Sequence, residues 1–238
     1  MQQQIIKKQK DDDEIIEIGS TTRTTKYQGP ILVETWKLNS TEWLTNGHID
    51  KYLQLMTKRI YATNISGLFN PEIFMNYASN TTCFNPDTIF DYPFAQILHA
   101  HNHWVTVTNY NPFYEEQQHE NKWFYFDSFN EPLVYIPYIK NAMKRLNSQS
   151  SSIKMIHCNV YPQFGCNDCG LFALGYVLAL SEKKDPSKIL FEQISMRLSY
   201  NCNLEIGSVS QFNYMDLPNT FVVFTEHIVD LSNEVIPI

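Results

Sequence analysis

With 238 residues, 43% of them hydrophobic, the chain is long enough for one large domain with a well-filled core. Its net charge of −7 argues against nucleic acid as the principal ligand. Five cysteines, an odd number, and a Gln- and Lys-rich start without a secretory apolar stretch point to an intracellular, reducing compartment, nucleus or cytoplasm, and away from a disulfide framework.

In chain order, residues 1–26 run from Lys7-Lys8-Gln9-Lys10 into Asp11-Asp12-Asp13-Glu14 with no periodicity that could bury a face, and are expected to form a disordered polar tail. Ile15-Ile16-Glu17-Ile18 behind the acidic run resembles a SUMO-interacting motif but reads more simply as a chance apolar trio. The globular domain is expected over 27–238, entered through Gly29-Pro30. Ile49, Tyr52, Leu53, Met56 and Ile60 follow helical spacing, with Asn46 as the expected N-cap.

Phe94–His99, His103–Thr108 and Lys122–Phe126 are rich in β-branched and aromatic residues and read as neighbouring strands. Helices are expected over Val134–Asn147, Cys169–Ser181 and Ser187–Tyr200, and a further strand over Ile153–Tyr161. The segment Leu171–Leu180 is apolar all round and about half the length of a bilayer crossing, so it reads as a buried core helix, and no membrane association is expected. Helices and strands mix without a strict βαβ beat, which places the chain in the α+β class.

The chemistry concentrates in Gln163-Phe164-Gly165-Cys166-Asn167-Asp168-Cys169-Gly170. Cys169 opens the apolar helix, where first-turn N–H groups favour the thiolate and can contribute to an oxyanion hole. Gln163 can aim a side-chain amide at the same oxyanion, and Gly170 leaves room for a substrate backbone to approach. His103 leads one strand and Asp127 closes the next. If the two strands pair antiparallel, imidazole and carboxylate meet at one end of the sheet, with Asp127 fixing the tautomer of the base.

The order His, Asp, Gln, Cys, the His103-Trp104 pair, the Asp127-Ser128 step, the Gln-to-Cys interval and Asp168-Cys169-Gly170 together resemble the Ulp1/SENP-type cysteine peptidases, in a divergent Ulp1-like branch. Trp43-Leu44-Thr45-Asn46 is similar to that family's Trp-Leu-Asn-Asp entry. The resemblance implies an Ulp1/adenain-like fold, a central mixed β-sheet flanked by helices. It also implies a thiol isopeptidase or peptidase acting after the C-terminal Gly-Gly of a ubiquitin-like modifier: SUMO, ubiquitin or Nedd8. Cys169 would be nucleophile, His103 base and then acid, Asp127 its orienter and Gln163 the oxyanion donor. Trp43 and Trp104 would wall a tunnel that only glycines are thin enough to thread. Asn46 stands where the family has Asp and removes a charge that could pair with an arginine of the modifier.

No cofactor is expected, and the working partner would be the modifier and its conjugates, with the chain acting as a monomer. Other readings of the same residues are a YopJ-like acetyltransferase with the same triad and a module that binds a ubiquitin-like tail without turnover. His99, His101 and His103 have a metal-like spacing, but no fourth ligand is in sight, so no metal is expected. Cys166 and Cys169 form a Cys-x-x-Cys, which makes Cys166 a candidate redox brake on the nucleophile.

Overall fold

In a computed structural model, the structure describes residues 36–60, 66–67, 94–113, 122–146, 150–217 and 223–232. The tail expected over 1–26, with its Ile15–Ile18 trio, lies outside these residues.

The organising element is a six-stranded mixed sheet. It comprises β1 (Ser66–Gly67), β2 (Phe94–Ala100), β3 (His103–Thr108), β4 (Lys122–Phe126), β5 (Ser152–Cys158) and, at its far edge, β8 (Phe224–Asp230). β1 runs parallel to β2, β4 runs parallel to β5, and the other neighbours are antiparallel. The α+β class expected from the sequence is the one observed, a central mixed sheet flanked by helices.

Every residue of β3 is buried, because both faces of the sheet are covered. On one face lie α1 (Asn46–Ile60), the apolar α3 (Cys169–Ser181) and α4 (Gln193–Ile206), packed over Trp104, Phe124 and Phe126. The other face is covered by α2 (Pro132–Leu146), whose Ile136, Ile139 and Met143 meet Val105, Val107 and Tyr125. All thirteen residues of α3 are buried, which explains why its sequence has no polar stripe. Thr106 stands on this face and donates from Oγ1 to the Ala173 carbonyl at 3.0 Å, tying β3 to α3. Among the described residues no helix is long and apolar enough to cross a membrane.

Three expectations are corrected. The helix expected over Ser187–Tyr200 divides: a 3-10 turn at Pro186–Lys188 leads into β6 (Ile189–Phe191), which pairs antiparallel with β7 (Tyr214–Asp216), and α4 starts only after Glu192. Ile189 and Phe191 are buried with Leu190 between them half-exposed, an alternation that belongs to a strand and that the following amphipathic helix masks.

The cap of α1 is Thr45, not Asn46. Thr45 Oγ1 accepts from the His48 backbone N–H at 3.4 Å while His48 Nδ1 accepts from the Thr45 N–H at 3.1 Å, a capping box with histidine in the place of Glu or Gln. Finally, the three histidines do not share a face. His99 belongs to β2 and packs on Trp104, His101 sits in the β2–β3 turn at φ 61° and stacks on Tyr138, and His103 begins β3. Among the described residues no group of three or more metal-binding side chains exists.

Candidate active site

β3 and β4 pair antiparallel, Thr106 opposite Phe126, so the start of one strand and the end of the other fall at the same end of the sheet. This register brings His103 and Asp127 together. His103 Nε2 lies 2.6 Å from Asp127 Oδ1, and both side chains are buried. The carboxylate also accepts from the backbone N–H of Phe129 at 2.9 Å and of Glu131 at 2.8 Å, at the entry to α2, whose first helical residue is Pro132. Three donors, two of them near a helix N-terminus, offset the cost of burying this charge.

The imidazole is stacked between Phe129 and Tyr135, with ring centroids at 4.7 and 4.4 Å, which leaves it little freedom to tilt. Burial alone would lower its pKa, but hydrogen bonds and charge interactions with Asp127 and Cys169 outweigh that and push it up to about 9. Asp127 occupies Nε2, so it is the buried Nδ1 that remains for Cys169.

Cys169 is the first residue of α3 and only 2% exposed. Asp168, which precedes it, makes no side-chain cap bond. Its carboxylate instead forms an ion pair with Arg197, Oδ1 to Nη2 at 2.7 Å, and accepts from Gln193 Nε2 at 2.6 Å.

Gln163 is buried on the preceding loop, and its carboxamide is oriented at both ends. Oε1 accepts from Ser128 Oγ at 2.7 Å, and Nε2 donates to the Gly165 carbonyl at 2.9 Å, leaving its second N–H. Gly165 has φ 70°, the left-handed conformation that lets the turn fold back on Gln163. The loop after β4 holds this segment twice more. Ser128 O accepts from Gln163 N, and Asn130 pairs through its carboxamide with both the N–H and the C=O of Val160, each at 2.9 Å.

The residues expected to contact substrate have mixed fates. Trp104 is 3% exposed and donates from Nε1 to the Leu44 carbonyl. A Cβ on Gly170 would come within 2.8 Å of Leu44 Cβ and 3.1 Å of Trp104 Cδ1, so the missing side chain is needed for close packing of α3 against these two residues. Trp43, at 41% exposure, does offer its indole to solvent, and its Nε1 donates to Asn167 Oδ1 at 2.6 Å. Asn46 is half-buried, and its Oδ1 has no partner among the described residues. Cys166 is exposed, with Sγ 3.0 Å from Asn167 Oδ1.

Asn130, Gln193 and Arg197 were given no place in this site by the sequence, and Ser128 and Asn167, which lie within its motifs, were given no role. The signals were Ser128's place directly after Asp127 and Asn167's place two residues before Cys169.

No protein-family model matches the chain, and no curated protein matches it. Among solved structures the chain is similar to the SUMO protease Ulp1 with its catalytic cysteine oxidised to a sulfenic acid, at 13% identity over 72% of this chain and 80% of that one, TM-score 0.49. It is also similar to the C-terminal Ulp1 protease domain in complex with Smt3, the yeast orthologue of SUMO, at 14% identity over 74% of this chain and 81% of that one, TM-score 0.49. Its structural neighbours are thus Ulp1 SUMO protease domains at low identity.

Proposed function

We propose that the chain is a thiol isopeptidase that cleaves after the C-terminal Gly-Gly of a ubiquitin-like modifier. The observation that carries the reaction class is the buried His103–Asp127 pair, which leaves the imidazole Nδ1 open, with Cys169 as the buried first residue of α3. The raised imidazole pKa keeps His103 protonated near neutral pH, with a proton to give to a departing amine. The choice of modifier tail as substrate rests on the Trp43-Leu44 entry and the His103-Trp104 pair.

In the proposed cycle the Cys169 sulfur attacks the carbonyl carbon of the terminal glycine. The resulting oxyanion takes hydrogen bonds from the free N–H of Gln163 Nε2 and from backbone N–H at the start of α3. As the C–N bond breaks, His103 gives its proton to the departing amine and leaves a thioester on Cys169. Water then attacks that thioester while His103 removes its proton, and the acid is released as the thiol re-forms. Throughout, Asp127 holds the imidazole in one orientation and stabilises its cationic form.

The test is incubation of the full chain with ubiquitin, SUMO and Nedd8 bearing a C-terminal electrophile, beside a Cys169→Ala control. A covalent adduct with at least one modifier, lost in the control, is expected. No Cys169-dependent adduct with any of the three would refute the substrate reading and favour acyl transfer from a small donor.

A further inference from the structure

Building on the assignment of Cys169 as nucleophile and Gln163 as oxyanion donor, we infer that Gln193 and Arg197 are positioning residues: from α4, outside the turn, they set the shape of residues 164–168 and so the spacing of oxyanion donor and sulfur.

The turn has little packing to define it. Phe164 is 73% exposed and Cys166 is exposed, so burial of apolar surface does not select one conformation here. Polar bonds do. The Gln193 carboxamide is used to capacity on its donor side. Its Oε1 accepts from the Phe164 N–H at 2.8 Å, and Nε2 donates both to the Phe164 carbonyl at 2.8 Å and to Asp168 Oδ2 at 2.6 Å. One side chain therefore holds the residue that follows Gln163 and the residue that precedes Cys169.

Arg197 stands one helical turn further along the same face of α4. Its Nη2 reaches Asp168 Oδ1 at 2.7 Å and the Asn167 carbonyl at 3.3 Å, and Nη1 donates to the Asn39 carbonyl at 2.7 Å. The planar fork thus joins the arm before α1 to the end of the turn, which a lysine could reach at only one point. Asp168 and Arg197 are both largely shielded from water, where their attraction is screened less than at an exposed surface.

Neither residue approaches the reacting atoms through these bonds; each acts through the backbone of the turn. An oxyanion hole depends on donors held in place before the charge develops, so a small relaxation of residues 164–168 would weaken the stabilisation supplied through Gln163 while leaving the thiolate of Cys169 intact. Gln193→Glu is nearly isosteric, yet it removes both donors and places a carboxylate against Asp168 and the Phe164 carbonyl.

The experiment compares two reactions of Cys169 in the full chain. Iodoacetamide alkylation requires the thiolate but no oxyanion hole, whereas acylation by p-nitrophenyl acetate passes through a tetrahedral oxyanion. For Gln193→Glu the acylation rate is expected to fall roughly 10- to 100-fold, with alkylation within about twofold of wild type when both are compared on the alkaline plateau of the pH profile, where the added charge no longer alters the thiolate fraction. Arg197→Met should show a smaller loss of the same selective kind, and Arg197→Lys should recover part of it. Should Gln193→Glu not fold, the Arg197 pair reads the same ratio.

A parallel fall in both rates, or no change in either, would overturn the inference, since a residue that only supports the fold cannot separate them. The probe carries no modifier. Acylation without any modifier adduct would therefore sink the substrate reading alone, whereas a wild-type chain that alkylates but never acylates would sink the role of Gln163 and this inference with it.

Discussion

The two sides of the candidate site are held by different means. On the His103 side the holding groups are close in sequence to Asp127, and the His103–Asp127 pair itself is buried. Asp127 receives the imidazole and two backbone N–H groups from the four residues that follow it, and Phe129 and Tyr135 close on the ring from the same stretch of chain. The Cys169 side is a partly exposed turn held by remote side chains: Trp43 from the arm before α1, Ser128 from the loop after β4, and Gln193 and Arg197 from α4. On the proposed reading His103 is a base that must keep one orientation while its charge changes, and a buried aromatic slot provides that. The turn is open to solvent, so its shape is set by hydrogen bonds from outside.

The largest expected effect breaks the buried side. His103→Ala should lower turnover by roughly three to four orders of magnitude, and Asp127→Asn should be about a hundredfold milder, since the asparagine still fills the slot but cannot stabilise the imidazolium. Hydrolysis of a modifier–fluorophore amide under single-turnover conditions measures both. A near-wild-type rate for His103→Ala would transfer the base to another group, His101 being nearest in sequence.

The same side carries a pH signature. The unfolded imidazole titrates near 6.5 and the folded one near 9. The stabilisation from the His103–Asp127 pair is therefore fully present below 6.5 and is lost as pH rises through about 9, because the folded state holds its proton longer than the unfolded chain does. Thermal melts from about pH 6 to about pH 10 should show the gap in Tm between wild type and Asp127→Asn narrowing over that window. A gap that stays constant would mean that the imidazole titrates at its ordinary pKa.

What the sequence disclosed divides along the same line. β3, β4 and α3 were legible because their composition and length are dictated by burial on both faces of the sheet, and the antiparallel pairing of β3 with β4 was enough to bring His103 to Asp127. The latches were not legible. Asn130 on Val160, Asn201 on Leu38 and Gln193 on Phe164 each match one carboxamide to the N–H and C=O of a single residue 29 to 163 positions away. Such a pairing asks only for an amide at one end and any residue at the other, so it leaves no periodicity or spacing to read. β6 escaped for a related reason: with three residues, Ile189 to Phe191, it is too short for its alternation to stand out beside α4.

Ser128 links the two sides, and its removal sharpens the comparison. With Oγ gone, Gln163 Oε1 loses the donor that fixes which way the carboxamide points, while Asp127 keeps all three of its own donors. Ser128→Ala is expected to lower kcat about tenfold with KM nearly unchanged, and Ser128→Thr, which keeps a hydroxyl, should restore part of it. An increase in KM alone would show that Ser128 supports substrate binding rather than the oxyanion.

The smallest effect concerns the exposed turn, where Cys166 lies three positions before Cys169 and is open to solvent while Cys169 is not. Peroxide would oxidise the Cys169 sulfur to a sulfenic acid. The Cys166 thiol can then displace water from it to give a disulfide, which a dithiol reverses, whereas further oxidation of an unprotected sulfenic acid is irreversible. Brief exposure to mild peroxide should therefore inactivate wild type in a form that dithiothreitol restores, and a larger share of Cys166→Ser should stay inactive after the same treatment. Equal recovery in the two proteins would show that the turn, for all its openness, keeps Cys166 from reaching the nucleophile. In that case the latches from α4 and from Trp43 hold its backbone as firmly as the aromatic slot holds His103.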